Sequence, residues 1–339
     1  MKGLVFVENN VLSWQEVPET EPKAGEVKLK IMAAGICGSD IHGYRGISGR
    51  RQPPMVMGHE FSGVITALGE GVEGWSVGDR VTANPVNYCG ECEYCRSGLE
   101  QFCPNKRQYG CAHEDGAFEE YLCVDQKCLF RLADSVSFAE GAAIEPLAVA
   151  VKAAGRAGEL KGRSVFIVGA GTIGLMVLTV VKAFGCGTVI VSDTSDFRLG
   201  LAASIGADIT VNPKNDDVAA RVLDATGGVG ADVSFECVGV PATLNQALGV
   251  IRLKGTAVIM GQGVQTAEIN AMNLCVREPN VLGSFMYNYA EFARAVDMMN
   301  NGLVDVKPIL SVEAPMSEGA EYFDRLANDP GELIKVILV

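Results

Sequence analysis

SVFIVGAGTIGLMVLTVVKAFG, residues 164–185, sets a short apolar run against a glycine-rich turn and a second, longer apolar run. The first run reads as a strand and the second as a helix. Between them Gly169, Gly171 and Gly174 are spaced as G-x-G-x-x-G. That spacing alone is a weak signal, since a structural turn can also be rich in glycine. Its place between strand and helix is what a dinucleotide site requires. The first glycine makes the tight turn, the second admits a pyrophosphate, and the third lets helix pack on strand. Amides at the helix start, around Thr172 and Ile173, then face the phosphate charge. Asp193 closes the next apolar stretch, TVIVSD, about 20 residues further on, where a carboxylate accepts hydrogen bonds from the adenosine ribose. A carboxylate there repels a 2′-phosphate, so NAD is expected over NADP, with Arg198 arguing mildly the other way. The cofactor-binding candidates are Gly169, Gly171, Thr172, Ile173, Gly174, Asp193, Arg198, Val238, Gly261 and Phe285.

Outward from this motif the alternation continues. TSDFRLGLAASIG reads as a helix, while ADVSFECVG and TAVIMG read as strands, which predicts a parallel sheet with crossover helices. FAEGAAIEPLAVAVKAAGRAG, just upstream, reads as a helix. Residues 1–130 differ in character: short alternating runs such as GEVKLKIMAAGIC and FSGVITALGEGV indicate an irregular β domain. The closing ELIKVILV is a further strand. A chain of 339 residues is long for one core, so two domains are expected. The hydrophobic content of 48% and mean hydropathy of +0.20 describe a well-buried globular protein. A formal charge of −13 argues against nucleic acid or an anionic membrane as partner. No apolar run is long enough to span a bilayer, and MKGLVFVENNVLSW lacks a signal-peptide pattern, so a cytoplasmic location is expected.

Cys89, Cys92, Cys95 and Cys103 stand as C-x2-C-x2-C-x7-C, with Gly90 and Gly98 letting the backbone curl. Four thiols so spaced close a tetrahedron around one structural Zn²⁺ and leave no position for a substrate. A second donor set is different in kind. Cys37 (GICGSDIH) with His59 and Glu60 (MGHEFSG) offers thiolate, imidazole and carboxylate, and three protein ligands leave a position open. Glu145, in AAIEPLAVA, is a fourth candidate, either a direct ligand or one acting through a water. Taken singly, Cys37 reads as core and Glu60 as a surface acid. Their combination in a chain with only three histidines is what raises them. Ser39 and His42 follow Cys37 closely enough to pass a proton from an alcohol to solvent; the plain alternative for Ser39 is a turn hydroxyl. His113 reads as structural or exposed, and Cys111, Cys123, Cys128, Cys186, Cys237 and Cys275 as small core residues.

Gly58-His59-Glu60, Gly63, Gly69 and Val72 follow G-H-E-x2-G-x5-G-x2-V. Together with the cysteine lobe and the glycine motif they resemble the zinc-dependent medium-chain dehydrogenase/reductase family along essentially the whole chain. CGSDIH and IEPLAVAV are similar to its sorbitol (polyol) dehydrogenase branch. The resemblance implies an α/β fold: a Rossmann doubly wound parallel sheet (148–282) inserted in a GroES-like β-rich catalytic domain (1–147 plus 283–339), with the structural-zinc lobe at about 86–104. It implies two Zn²⁺ per subunit, NAD, a small alcohol or ketone substrate, and a homodimer or homotetramer. The expected activity is reversible oxidation of a secondary alcohol to a ketone. Two departures bear on the substrate. Polyol dehydrogenases often carry Phe-Arg-Tyr where this chain has Phe285-Met286-Tyr287, and Ser311-Val312-Glu313-Ala314 lacks a customary His-Arg. Arg45, Arg50 and Arg51 are then candidates for a substrate phosphate or carboxylate, or else solvated loop charges. Tyr44 and Phe118 are candidates for pocket wall or core. Threonine, 2,3-butanediol, polyol-phosphate and sugar-acid dehydrogenases share the chemistry. A catalytically silent zinc- and NAD-binding protein, or a zinc-storage or thiol-redox protein, would be a different class.

Overall fold

The computed structural model describes residues 1–112, 114–263 and 266–339, so the expectation for His113 lies outside the described residues. The chain forms two compact units. One comprises Met1–Glu145, Tyr287–Gly302 and Leu310–Val339, the other Pro146–Met286 and Leu303–Ile309. Along the chain the elements that carry the argument are β1 (Glu26–Gly35), α1 (Gly38–Tyr44), β2 (Glu60–Leu68) and α2 (Ile144–Arg156). They are followed by β3 (Val165–Val168), α3 (Thr172–Ala183), β4 (Val189–Ser192), β5 (Ile209–Val211), β6 (Ala231–Glu236), β7 (Ile251–Ile259) and β8 (Asn280–Gly283). The chain closes with β9 (Leu310–Ala314) and β10 (Lys335–Leu338).

The second unit is built on a six-stranded sheet ordered β5-β4-β3-β6-β7-β8, with every pair parallel. Numbered within this unit the order is 3-2-1-4-5-6, the doubly wound dinucleotide fold. Every residue of β3 is buried, as helices on both faces of a parallel sheet demand. The order reverses between β3 and β6, and ligands of such sheets bind beyond the strand ends at that point. Gly169, Val238 and Gly261 follow β3, β6 and β7 there.

In the first unit a mixed sheet runs Leu129–Arg131, Arg80–Ala83, β2, β1, β10, β9, with Tyr121–Asp125 also on β1. β1 and β2 are antiparallel, with Gly35 opposite Glu60. β10 joins antiparallel on the other side, with Ile337 opposite Gly35. Tyr44 and Phe118 both pack on Phe323, at ring-centroid distances of 5.6 and 5.7 Å; they are core, not pocket wall. The helix expected across 138–158 is two helices, Phe138–Ala142 and α2, broken at Ala143. Pro146 supplies the reason, since proline lacks the N–H and its ring clashes with the carbonyl of a preceding turn, yet it suits the first turn of a new helix. Among the cysteines expected in the core, Cys111 and Cys128 are buried, Cys123, Cys186 and Cys237 half-buried, and Cys275 exposed. No helix among the described residues is long and apolar enough to cross a membrane.

One buried acid in this unit carries a stability signature. Glu119, 5% exposed, bridges to Gly3; burial, with Asp115 nearby, pushes its carboxyl up to about 8. A raised folded-state pKa means the fold favours the protonated form. Stability is therefore intact below the unfolded value near 4.5 and declines as pH rises towards 8, by up to about 1.4 kcal/mol per pH unit. Glu119→Gln should match the parent's thermal midpoint at pH 4.5 and exceed it increasingly up to pH 8.5. Parallel midpoint–pH curves would disprove this assignment.

Candidate metal and cofactor sites

Cys37 caps the N-terminus of α1, and the carboxylate of Asp40, three residues on, accepts from the Cys37 backbone N–H at 3.1 Å. The same carboxylate faces His59 Nδ1 at 3.3 Å and Arg51 Nη2 at 2.8 Å. Asp40 therefore orients two donor residues at once. An acceptor at Nδ1 leaves Nε2 as the ring nitrogen for a metal. Burial works against its charge, but His59 and Arg51 prevail and hold the Asp40 carboxyl down to about 2. Arg51 is itself buried, so it is neither a solvated loop charge nor placed to meet a ligand at the surface. Arg45 and Arg50 are exposed.

Glu60, at the start of β2, is buried beneath Lys335 of β10, whose Nζ donates to both carboxylate oxygens at 2.8 and 2.6 Å and to the Ile36 carbonyl at 2.9 Å. The carboxylate also needs a bare backbone beside it: a Cβ on Gly35 would lie 2.2 Å from Glu60 Oε2. Glu145 stands in the first turn of α2, and its Oε1 accepts from the Tyr287 hydroxyl at 2.7 Å. Burial pushes the Glu145 carboxyl up to about 7, with nearby Glu60 adding to the rise and His59 opposing it.

Donor atoms of Cys37, His59 and Glu60 all lie within 4.8 Å of one another. Around them three buried carboxyls, Asp40, Glu60 and Glu145, and a thiol face two buried cations, Arg51 and Lys335. Such a cluster has room for a divalent cation to balance it. Ligand types, proximity and charge all fit zinc. Ser39 is half-buried and His42 exposed, three residues apart on α1, which sets them on one face of the helix.

The cysteine lobe fits a second, closed metal. Its sulfurs lie 3.5 Å (Cys92–Cys95), 3.5 Å (Cys103–Cys89) and 3.9 Å (Cys89–Cys95) apart. Zn–S bonds of about 2.3 Å imply S···S edges of about 3.8 Å in a tetrahedron. Gly90 and Gly98 both adopt positive φ, +79° and +69°. Backbone N–H groups of Glu91 and Cys92 hold the Cys89 thiol down to about 6, the ionised form a metal needs.

In the second unit, Gly169 turns at φ +95°. A Cβ on Gly174 would strike the Gly169 carbonyl at 1.8 Å, whereas one on Gly171, the N-cap of α3, would meet nothing within 4 Å. The first closeness packs helix on strand; the second opening suits a pyrophosphate. Asp193 accepts from the backbone N–H of Ala170 at 2.7 Å and of Ser195 at 2.9 Å, which holds it beside the glycine turn. Arg198 is half-buried and Val238 exposed; Val238 Cγ2 would lie 2.6 Å from a Cβ on Gly169. Phe285 and Gly261 are half-buried.

Sequence reasoning assigned no role to Asp40, Tyr287 or Lys335. Two of them left a trace. Asp40 stands three residues after Cys37, the capping-box spacing, and Lys335 is the lone charge in the otherwise apolar run IKVILV. Tyr287 left none.

Comparison with known proteins shows the family. Residues 23–134 match the alcohol dehydrogenase GroES-like domain and residues 172–301 the zinc-binding dehydrogenase domain. The chain is 33% identical over 342 residues to sorbitol dehydrogenase of Bacillus subtilis (strain 168), covering 100% of this chain and 97% of that one. It is 37% identical over 318 residues to L-idonate 5-dehydrogenase (NAD(P)(+)) of Escherichia coli (strain K12), covering 92% and 91%. The crystal structure of 2R,3R-butanediol dehydrogenase from Bacillus subtilis superposes with a TM-score of 0.91 at 31% identity, over 99% of each chain.

The Glu60–Lys335 pair allows a stability test. Removing one partner of a buried ion pair leaves the other charge stranded, at about 3–5 kcal/mol. In zinc-free protein, Lys335→Met should lower unfolding free energy by that order, and adding Glu60→Gln should recover at least half of it. Equal stability of Lys335→Met and parent in urea titrations would refute the pairing.

Proposed function

The chain belongs to the zinc-dependent medium-chain dehydrogenase family, and from that premise we propose that it oxidises a secondary alcohol of the polyol or sugar-alcohol class to the ketone, reversibly, with NAD. The observation that carries the reading is the convergence of half-buried Cys37 with buried His59 and Glu60, beside a carboxylate, Glu145, tied to Tyr287. Cys37, His59 and Glu60 would hold the catalytic zinc, and Cys89, Cys92, Cys95 and Cys103 a structural one. When bound, the catalytic zinc supplies a Lewis acid for the alcohol oxygen, and NAD supplies the hydride acceptor.

The protein's own residues do the rest. Asp40 holds the His59 ring and the Cys37 backbone, so the donors are preorganised. Glu145, engaged by Tyr287, serves as an outer carboxylate acting through a water. Ser39 accepts the alcohol proton and His42, exposed on the same face of α1, delivers it to solvent. Gly169, Gly171, Thr172, Ile173 and Gly174 receive the pyrophosphate, and Asp193 the adenosine ribose, which favours NAD over its 2′-phosphate. Val238, Gly261, Phe285 and Arg198 complete the cofactor surface. Loss of a hydride from the carbon and of a proton from the oxygen leaves the ketone, so the electrons balance.

For the substrate, sorbitol dehydrogenase and L-idonate 5-dehydrogenase stand among the relatives. Both names give a sugar-derived substrate, and the second places the reaction at position 5. Met286 stands where polyol dehydrogenases often have an arginine that contacts substrate hydroxyls, so the substrate is expected to differ from unmodified sorbitol, and the L-idonate relative brings sugar acids into the panel. The family also suggests a homodimer or homotetramer.

Zinc-replete enzyme with NAD should form NADH, followed at 340 nm, with one chemical group among polyols, polyol phosphates, sugar acids, threonine and butanediol. Silence across the panel with NAD binding intact would favour a non-catalytic protein. Cys37→Ser, His59→Ala and Glu60→Ala should lower turnover by at least about 10²-fold, with NAD affinity preserved. Retained turnover in metal-verified samples would sink the assignment. Metal analysis should return two zinc ions per subunit, and Cys103→Ser should remove one and Cys37→Ser the other.

A further inference from the structure

Arg51 is the buried cation that the relay just described leaves without a task. It lies in the segment between the Cys37 and His59 donors, 6% exposed. Its route inward exists because residue 43 carries no side chain: a Cβ on Gly43 would lie 2.4 Å from Arg51 Cδ. One nitrogen, Nη2, reaches Ser39 Oγ at 3.1 Å, Asp40 Oδ1 at 2.8 Å and His59 Nδ1 at 3.2 Å. A guanidinium donates and never accepts. One hydrogen of Nη2 goes to the Ser39 hydroxyl oxygen, while Nη2 also meets Asp40 Oδ1 as an ion pair and lies beside His59 Nδ1.

We infer that Arg51 is a positioning residue that orients the Ser39 hydroxyl for proton transfer. A serine oxygen has two lone pairs and one hydrogen. Arg51 occupies one lone pair and, being unable to accept, turns the hydroxyl hydrogen away from itself. What remains is one lone pair to take the alcohol proton and one hydrogen to pass on, so the relay has a direction. Asp40 fixes the guanidinium in turn, and its carboxylate is anchored by the Cys37 backbone N–H. The inference rests on the reading of Ser39 as a relay residue.

Arg51→Lys keeps the charge opposite Asp40 and so preserves the fold, but lysine ends one bond short of the Nη2 position that reaches Ser39 and Asp40. With the best alcohol from the panel, Ser39→Ala should lower kcat by about 10²-fold. Arg51→Lys should lower it about 10-fold, with the alcohol KM within about twofold. The double variant Arg51→Lys/Ser39→Ala should equal Ser39→Ala alone within about twofold, because Arg51 acts through Ser39. Zinc per subunit by metal analysis and the thermal midpoint should be those of the parent in all three. Multiplying losses in the double variant would overturn the inference, as would zinc or midpoint losses in Arg51→Lys that track its activity. If Ser39→Ala costs turnover and Arg51→Lys does not, this inference falls alone. If Ser39→Ala costs nothing, the relay reading falls and takes this one with it.

Discussion

A carboxylate buried as Glu60 is cannot be left alone, and Lys335 answers it from 275 residues away. Taking a charge out of water costs several kcal/mol, and the cost falls only when a partner is buried with it in good geometry. Here the partner sits on β10, which joins β1 on the side away from β2. The ion pair therefore links the last strand to the strand that opens with Glu60, across β1 and its bare Gly35. The first unit is completed by both ends of the chain, and Glu60 is held by tertiary structure rather than by a local loop.

The same economy runs through the rest of the cluster. Asp40 touches the Cys37 backbone, His59 and Arg51 with two oxygens, so a single carboxylate sets the attitude of two donors and one cation. Glu145 has a different partner, a neutral hydroxyl from Tyr287, and its carboxyl stays easy to protonate. Two acids in one buried cluster thus have opposite characters, Asp40 held down beside an imidazole and a guanidinium and Glu145 pushed up by burial beside a phenol. That separation of environments is how a protein assigns different tasks to like groups.

The dinucleotide unit follows another logic, in which backbone does most of the work. The reversal of strand order between β3 and β6 opens space beyond the strand ends, and three glycines shape the turn that enters it. Asp193 is held by two backbone N–H groups rather than by a counter-ion. Its position is therefore independent of any side chain that could drift.

The two units differ in how legible they are from sequence. Strand, glycine turn, helix and acid of the dinucleotide unit follow one another within about 30 residues, and the cysteine lobe lies within 15 residues, from Cys89 to Cys103. Contacts so local are written in the order and spacing of residues, while Cys37, His59 and Glu60 were raised by their combination of ligand types. The break at Ala143 is local as well, since Pro146 stands three residues after it against the apolar period. Tertiary structure alone decided that Arg51 turns inward, that Tyr287 reaches Glu145, and that Lys335 reaches Glu60. The last two join residues remote in the chain, and for Arg51 the side chain's surroundings, not its type, settle whether the charge is solvated or buried. Spacing carries local geometry, while the pairing of buried charges depends on which strands the fold brings side by side.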